Sequence, residues 1–347
     1  MIPGFLFSVQ LNIFSFLLNQ TCMKRFSFFI CLVILAVSCS KNKNNPGPTN
    51  PVVVVPSDPD TLSAGWTKVG NIPIEETVND IYFVDANNGY IATTGAIYKS
   101  TNGGSTWTKI STENSSYINI AARGAKACFV DGGSTIFNTQ DYGVTIHSSS
   151  FANWPLPPGF QDCYYSSDNV CYAASHKYIF KSTNGGTSFD TVYHFQDDFT
   201  GTASLCFIDD MTGWVTRNYQ VYKTIDGGST WTSLKNLSNY AVPIYFLDAT
   251  YGFLGDNNYL YTSSSGGNSW SQRTGINTTD PISDLHFFFP SKGVCCAGTC
   301  IYETSDGGNS WMKVVSLGKK KIIEVFYLND HLGWACGEYG YILKFNL

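Results

Sequence analysis

Charged residues are scarce in this chain of 347 residues, since Asp, Glu, Lys and Arg together make up 14%. Glycine (32), tyrosine (21) and phenylalanine (24) are plentiful instead, a balance that indicates short strands joined by tight turns rather than helices. Basic residues are in deficit as well. Residues 1–38 hold Lys24 and Arg25 and no acid, which leaves 19 Lys and Arg against 26 Asp and Glu in the rest. This balance argues against nucleic-acid binding, and the one short basic run, at 319–321, is typical of a solvated loop.

Patterns that bind metals are also missing. No CxxC motif occurs, and the five histidines are dispersed along the chain, at positions 147, 176, 194, 286 and 331. Structural zinc sites need four such ligands at short, paired spacings. The sequence therefore predicts no metal and no cofactor.

Eight cysteines follow Cys39. An export compartment would permit disulfides, and we expect one or two at most. The pairs with suitable spacing are Cys163 with Cys171, and Cys295 or Cys296 with Cys300. The single cysteines at strand positions, 128, 206 and 336, are typical of small buried hydrophobes.

The N-terminal region has the pattern of an export signal. Met23 is followed by Lys24 and Arg25, an apolar run over 26–37, and then Ser38 and Cys39. This pattern predicts a signal peptide over 1–38, with 1–22 an over-called start. Its end resembles a bacterial lipobox, which implies that Cys39 is lipidated and becomes the mature N-terminus. A transmembrane anchor made from residues 4–37 is the alternative on grounds of length.

Either alternative predicts that the rest of the chain lies outside the cytoplasm, in the bacterial cell envelope, on the periplasmic side or at the cell surface. Residues 39–64 contain five prolines and show no periodicity. They are expected to form a flexible tether between the membrane anchor and the domain that begins at residue 65.

One motif, S/T-x-D-x-G-x-S/T-W, recurs six times. Its copies occupy residues 100–107, 139–146, 182–189, 224–231, 263–270 and 304–311, and their starts are 39, 43, 42, 39 and 41 residues apart. That spacing suits four short strands with their turns, which is the size of one propeller blade.

The third residue of each copy can accept hydrogen bonds from the amides of its own turn, while the following glycines permit positive φ. These third residues are Asn102, Asp141, Asn184, Asp226, Ser265 and Asp306. We call the six motifs box turns and expect them to be structural. Because the side chain of Ser265 is short, the fifth turn is expected to be the loosest.

Six box turns do not limit the domain to six blades. Trp66 opens an orphan strand that looks like the strand after a box turn, and residues 341–345 form a third strand with no box turn after it. Pairing these two ends makes a seventh blade and removes an exposed sheet edge. The prediction is an all-β, seven-bladed propeller over residues 65–347, with blades that begin near 78, 116, 160, 202, 241, 282 and 322.

The units 79–90 and 97–107, which place an aromatic inner strand, a Gly-aromatic pair and a box turn in succession, resemble the Asp-box propellers built on bacterial neuraminidase repeats. The resemblance is greatest to the photosystem II assembly and stability factor-like family. It implies a propeller that binds proteins without catalysis, as an assembly or stability factor. Nothing in these residues points to a photosynthetic partner.

The same motif also occurs in sialidases and other glycosidases. A sialidase site needs three convergent arginines, and the domain offers only Arg123, Arg217 and Arg273. The strand assignment puts Arg123 and Arg273 away from the central funnel. A two-carboxylate glycosidase is the remaining enzyme alternative, because several acids lie in or near loops of one face, namely Asp197, Asp198, Asp256 and Glu338.

The loops between blades and between second and third strands share the face opposite the box turns, which makes that face the predicted binding surface. It presents Trp154, His176, Arg217, Tyr219, Asp256, Glu338 and Tyr339. The predicted function is a tethered, monomeric, non-enzymatic module that recognises a protein or peptide of the envelope. A glycan-binding or glycan-hydrolysing propeller is the alternative, and a passive structural module is the third possibility.

Overall fold

The computed structural model describes residues 60–347 apart from 71, 74, 152–158, 197–203, 218, 238–242 and 274. The predicted signal peptide, Cys39, residues 39–59 of the predicted tether and Trp154 lie outside the described residues. Within them the regular structure consists of strands and one short 3-10 turn at Glu338–Gly340. None of the described segments is a helix with the length and apolar character needed to span a membrane.

The described strands form seven antiparallel sheets, which we number in chain order. Sheets 1 to 4 contain β3 (Val78–Phe83), β4 (Gly89–Thr93), β5 (Ile97–Ser100) and β6 (Thr108–Lys109); β7 (Tyr117–Arg123), β8 (Lys126–Asp131), β9 (Thr135–Thr139) and β10 (His147–Ser150); β11 (Phe160–Tyr165), β12 (Cys171–Ser175), β13 (Tyr178–Ser182) and β14 (Asp190–His194); and β15 (Ser204–Phe207), β16 (Gly213–Arg217), β17 (Gln220–Thr224) and β18 (Thr232–Asn236).

The remaining sheets include the two strands at the start of the domain. Sheets 5 to 7 contain β19 (Ile244–Phe246), β20 (Gly252–Asp256), β21 (Tyr259–Ser263) and β22 (Ser271–Gln272); β23 (Ile282–Phe287), β24 (Gly293–Ala297), β25 (Cys300–Thr304), β26 (Met312–Ser316) and β1 (Thr61–Leu62); and β27 (Ile322–Asn329), β28 (Leu332–Gly337), β29 (Ile342–Asn346) and β2 (Trp66–Val69).

The hydrophobic core lies between the sheets. The described buried side chains form seven clusters, and each cluster draws on two neighbouring sheets, including the last with the first. Second strands such as β4 are buried along their whole length, because both of their faces are covered. Burial therefore repeats around a closed ring.

Ring stacking explains the Gly-aromatic pairs of the sequence. The second-strand aromatic stacks on an inner-strand ring of the next sheet, with centroids 3.6 Å apart for Trp214 on Phe246 and for Trp334 on Phe83. The glycine before it makes room, since a Cβ on Gly213 would lie 2.4 Å from the ring of Phe207. Any larger residue there would push the inner strand away.

The two ends of the domain close the ring in one sheet. β2 pairs antiparallel with β29, with Trp66 opposite Phe345 and Val69 opposite Ile342. The Trp66 ring is buried against the Phe345 ring at 5.3 Å. The predicted seven-bladed propeller is confirmed, with sheets that begin at 78, 117, 160, 204, 244, 282 and 322.

The ordered domain starts before the predicted boundary at residue 65. Thr61 and Leu62 pair with Ser316 and Val315, which makes β1 a fifth strand on sheet 6. Beside it Asp60 Oδ1 lies 2.6 Å from the Nζ of Lys320, a residue of the predicted solvated loop that is only 4% exposed. This short strand was hidden from the sequence because two residues are too few to show a period.

The box turns hold their hydrogen bonds as expected from their composition. Asp226 Oδ1 accepts the amide of Thr230 at 2.9 Å, and Asp226 Oδ2 accepts its hydroxyl at 2.6 Å. In the fifth turn the Ser265 Oγ accepts the Ser269 amide, also at 2.9 Å. The length of this bond gives no sign of the expected looseness.

The cysteines correct one prediction. All eight described cysteines are free thiols, so no disulfide forms among them. Strand register is the reason: Cys163 lies opposite Ala173, whereas Cys171 lies opposite Tyr165. In sheet 6 Cys295 and Cys296 face Tyr302 and Ile301 rather than Cys300.

Candidate functional site: the central channel

A central channel of about 720 Å³ is lined by residues from all seven inner strands or the residues that lead into them. In sheets 1 to 6 the inner strand begins on the face opposite the box turns and runs towards them, because the turn that follows it contacts the box turn of the same sheet. One such contact is the hydrogen bond from the Gly103 amide to the Asn87 carbonyl at 2.9 Å. The start of each of these inner strands therefore lies near the predicted binding face.

Two rings of side chains follow each other along the channel. Residues two apart share one face of a strand and are about 7 Å apart along it. We call the first ring the acidic tier, made of Asp80, Asn119, Asp162, Ser204, Pro243, Asp284 and Glu324. We call the second ring the aromatic tier, made of Tyr82, Ala121, Tyr164, Cys206, Tyr245, His286 and Phe326.

β-Bulges set the direction of the acidic tier. Strands β3, β7, β11, β23 and β27 each have a register shift immediately before their acidic-tier residue, as between Val78 and Asp80. A bulge rotates the side chains that follow it relative to the sheet. Val78 and Ile81 thus pack in the core between sheets, whereas Asp80 lines the channel.

The acidic tier also joins the sheets. Asp80 Oδ2 accepts the amide of Ile120 at 2.6 Å, and Asp162 Oδ2 accepts that of Leu205 at 2.6 Å. Asn119 and Asp284 make the same bond to the sheets that follow theirs, to Cys163 N at 2.9 Å and Val325 N at 3.1 Å. Four members of the tier therefore clamp the inner strand of the next sheet.

Burial favours the neutral form of these acids. It raises the pKa of Asp80 to about 7, of Asp162 to about 8 and of Asp284 to about 6. The pKa of Glu324 rises well above its usual value, first through burial and then through the nearby Asp284 and Asp80 carboxyls. Asp80 is only 4% exposed, whereas Asp162, Asp284 and Glu324 are half-buried and in contact with the channel space.

Positive charge is scarce in the channel. Among the described residues that line it, Arg123 is the only lysine or arginine, and its Nε lies 2.5 Å from Asp168 at an exposed site. Burial lowers the pKa of His286 to about 4, so this imidazole is neutral at pH 7. The acidic tier therefore has no cation of its own.

The aromatic tier forms a run of rings in contact. Tyr82 lies 4.6 Å from Phe326 and Tyr245 lies 4.9 Å from His286, between ring centroids. Burial raises the pKa of Tyr164 well above its usual value, and the nearby Cys206, Tyr82 and Tyr245 raise it further. The three phenols therefore converge in one part of the channel.

The described face residues lie in or next to the turns between second and third strands, but two of them are buried. Arg217 is 0% exposed, and its Nε donates to the His176 carbonyl at 2.7 Å, with the guanidinium 4.3 Å from the Phe195 ring centroid. Asp256 is 3% exposed. His176 and two other predicted residues, Tyr219 and Tyr339, are half-buried.

The described arginines and acids that were weighed for catalysis do not form one site. Arg123 lines the channel, which corrects its predicted position away from the funnel. Arg273 lies at an outer pocket of about 120 Å³, where its Nε donates to Thr262 Oγ1 at 2.9 Å. Glu338 Oε2 accepts the Lys321 amide at 3.0 Å. Asp197 and Asp198 lie outside the described residues.

The channel acids were missed by sequence reasoning, although a signal was present. Asp80, Asp284 and Glu324 each stand at the same place in the aligned inner-strand repeats. The apolar and aromatic residues that follow each acid are typical of a buried strand, and they obscure the recurrent acid. Within the described residues no group of three or more His, Cys, Asp or Glu side chains is arranged to hold a metal ion.

Comparison with solved structures shows the same fold in several proteins. YCF48 from Cyanidioschyzon merolae has a TM-score of 0.69 at 18% identity, over 82% of this chain and 99% of that one. A structure of YCF48 bound to a D1 peptide has 0.68 at 14%, over 83% and 98%. The GH74 enzyme of Niastella koreensis has 0.66 at 14%, over 80% of this chain but only 53% of the enzyme. No protein-family model and no curated protein matches the chain, and at these identities the likeness shows the fold alone.

Proposed function

We propose that this chain is a non-enzymatic binding module that receives a segment of a protein partner through the channel mouth opposite the box turns. The observation that carries the proposal is the channel itself. Its volume of about 720 Å³ lies within the range of ligand sites, which combine aromatic walls with a few placed polar groups. A propeller of the same fold carries a bound D1 peptide, which supports a peptide as the kind of ligand.

The proposed setting is the cell envelope. Residues 23–39 carry the export and lipidation pattern, and lipid attached to Cys39 would hold the propeller at a membrane. A module tethered in this way would act on a membrane-bound partner, and we propose a role as an assembly or stability factor. The resemblance of the repeats to Asp-box propellers supports this role.

Glycoside hydrolysis is the second candidate function. The pKa of Glu324 is raised, as expected of a catalytic acid, and a GH74 enzyme shares the fold. However, the Glu324 and Asp284 carboxyls hydrogen-bond to each other, which leaves no room for a sugar between them. Glycosidases hold their two carboxyls about 5 to 9.5 Å apart so that the sugar fits between them. The direct contact therefore favours binding.

A matched pair of serine substitutions tests the binding proposal. Ser204 lies in the acidic tier, and Ser233 lies exposed on the outer strand β18 of the same sheet. We expect Ser204→Trp to block the channel and to lose the partners that wild type recovers from detergent-solubilised envelope. Ser233→Trp is expected to retain them. Equal recovery by both variants would show that the partner does not enter the channel.

A second measurement addresses hydrolysis. Wild type and Glu324→Gln are incubated with a panel of soluble polysaccharides, and released reducing sugar is measured. We expect no release from either protein. Release by wild type that Glu324→Gln abolishes would overturn the non-enzymatic proposal in favour of the second candidate.

A further inference from the structure

We propose that the channel recognises a cation, namely the ammonium or guanidinium group of a lysine or arginine side chain in the partner's segment. This inference rests on the proposed function, since it names the chemistry of the ligand at the same site. It uses the shape of the channel, its charge and the identity of the rings beyond its mouth.

The arrangement of charge is the first feature of the channel that favours a cation. Asp80, Asp162, Asp284 and Glu324 line one section of the channel, and none of the described lysines or arginines lines that section. Arg123 lies at the last position of β7, towards the box turns, and it pairs with Asp168. An entering cation would meet several carboxyl acceptors that no resident cation neutralises, whereas an entering carboxylate would meet no charge of opposite sign in this section.

Glu324 is the acid best placed to respond. Asp80, Asp162 and Asp284 each accept a hydrogen bond from a backbone amide of the next sheet. These three acids therefore already have a structural role. The Glu324 carboxyl instead hydrogen-bonds to the Asp284 carboxyl. Two hydrogen-bonded carboxyls must share a proton, and a cation placed between them removes that need. The pair is therefore an acceptor site held neutral until a cation arrives.

The aromatic tier is the second such feature. It lies about 7 Å further along the channel, and its contacting rings include Tyr82, Tyr245 and Phe326, with the neutral His286 between the last two. Aromatic faces attract ammonium and guanidinium groups, and most strongly where water is excluded. A ring-lined section directly after carboxylates suits a long side chain with an apolar stem and a cationic end.

The depth of the channel favours a side chain over a whole folded domain. The channel is shallow, because the inner strands that line it contain only three to eight residues. Its volume of about 720 Å³ is enough for a few side chains. A peptide lying across the mouth can insert one or two residues while its backbone stays outside. The channel thereby selects a lysine or arginine of the partner, while the backbone of the partner's segment lies across the channel mouth.

Isothermal titration calorimetry at pH 8 tests this inference with defined probes. The first is a Gly-Ser peptide with blocked ends and two central lysines. The second is the same peptide with both lysines acetylated, and the third carries two glutamates. We expect the lysine peptide to bind at least tenfold more tightly than the other two. Equal affinity of the acetylated peptide would overturn the inference.

Two matched variants locate the effect. Glu324→Gln removes one acid from the channel, and Glu113→Gln removes one acid from an exposed site in the connection between sheets 1 and 2. We expect the first to weaken binding of the lysine peptide about tenfold and the second to leave it unchanged. Equal behaviour of the two variants would place the cation elsewhere and overturn the assignment to Glu324.

A free polyamine distinguishes the source of the cation. Spermidine presents ammonium groups without a peptide backbone, so we expect it to bind more weakly than the lysine peptide. Tighter spermidine binding would overturn the assignment to a protein segment. The proposed function fails separately if Ser204→Trp and Ser233→Trp recover envelope partners equally. If Ser204→Trp alone loses partners while charge has no effect on peptide affinity, only the cation inference fails.

Discussion

At the scale of single residues, Arg217 shows that a side chain suited to recognition can be buried and used to stabilise the fold. Its position in a turn between second and third strands predicted exposure. The structure instead buries it completely, with its Nε on the His176 carbonyl and its guanidinium over Phe195. It joins sheets 3 and 4, and its contribution is therefore to stability.

Arg217→Ala tests this assignment. It removes a charge-assisted hydrogen bond and leaves a buried carbonyl without that donor, so we expect a loss of about 2 to 3 kcal/mol in the free energy of unfolding. Arg273→Ala, at a half-buried outer site, is expected to cost less than about 1 kcal/mol. Urea denaturation measures both. Equal losses would contradict the structural role of Arg217.

The residues of the channel show why the site was harder to predict than the fold. Asp80 and Asp284 stand in strands that also contain several large apolar or aromatic residues, so hydropathy alone assigns the whole strand to the core. Only the bulge before each acid turns it into the channel. A bulge arises from pairing with a partner strand, and one chain read in sequence order does not display it.

At the scale of elements, β1 is a two-residue strand that depends on side-chain contacts next to it. Lys320 is 4% exposed, and its Nζ lies 2.6 Å from Asp60, while Tyr341 also hydrogen-bonds to Asp60. The Asp60–Lys320 ion pair joins the residue before β1 to the connection between sheets 6 and 7. β1 in turn covers the outer edge of β26.

Asp60→Asn is expected to leave the buried Lys320 ammonium without its charge partner. We expect it to cost about 1 to 2 kcal/mol of unfolding free energy, because Asp60 is partly open to solvent and screened. Faster amide hydrogen exchange in β26 should accompany the loss. Asp168→Asn is the control, since its pair with Arg123 is exposed and is expected to contribute below about 0.5 kcal/mol. Unchanged amide hydrogen exchange in β26 would contradict the proposed role of the Asp60–Lys320 ion pair.

At the scale of the whole molecule, two sets of acids oppose each other in their response to pH. Hydrogen bonds from threonine and serine lower the pKa of Asp141, Asp226 and Asp306 in the box turns to about 2. Their folded pKa lies below the unfolded value of 3.8, so they stabilise the fold above about pH 4. That contribution is lost as the pH falls from about 4 to about 2.

The channel acids have the opposite sign. The pKa values of Asp284, Asp80 and Asp162 are raised to about 6, 7 and 8. Their contribution is complete below about pH 4 and is lost as the pH rises through these values. His286, with its pKa lowered to about 4, acts in the same direction as the box turns, since stability is lost as it protonates below its unfolded value.

We therefore expect the urea midpoint to be highest near about pH 4 to 5 and to fall on both sides. Asp162→Asn should reduce the fall above pH 6, because it removes the acid with the highest of the three pKa values given above. Asp168→Asn, at an exposed site, should leave the curve unchanged. A midpoint that rises steadily from pH 4 to pH 8 in wild type would contradict the assignment of neutral acids to the channel.

The architecture was predictable to a large extent because it repeats. Six box turns at nearly constant spacing, together with the orphan Trp66 strand, were enough to count seven sheets and to locate the closing pair. The contents of the channel, the burial of Arg217 and the free thiols were not predicted. Each of these features depends on strand register or on contacts between neighbouring sheets. A repeat pattern in the sequence contains no information on either.

The pairing of β2 with β29 has a consequence for how the domain is made. The strand at Trp66 is synthesised among the first residues of the propeller, yet its partner at Phe345 is among the last. While the chain is being translated, the seventh sheet lacks one of its strands and the ring stays open. Closure must await the synthesis of β29 and its emergence from the ribosome, and a product cut short before β29 would retain two unpaired edges and an unburied tryptophan.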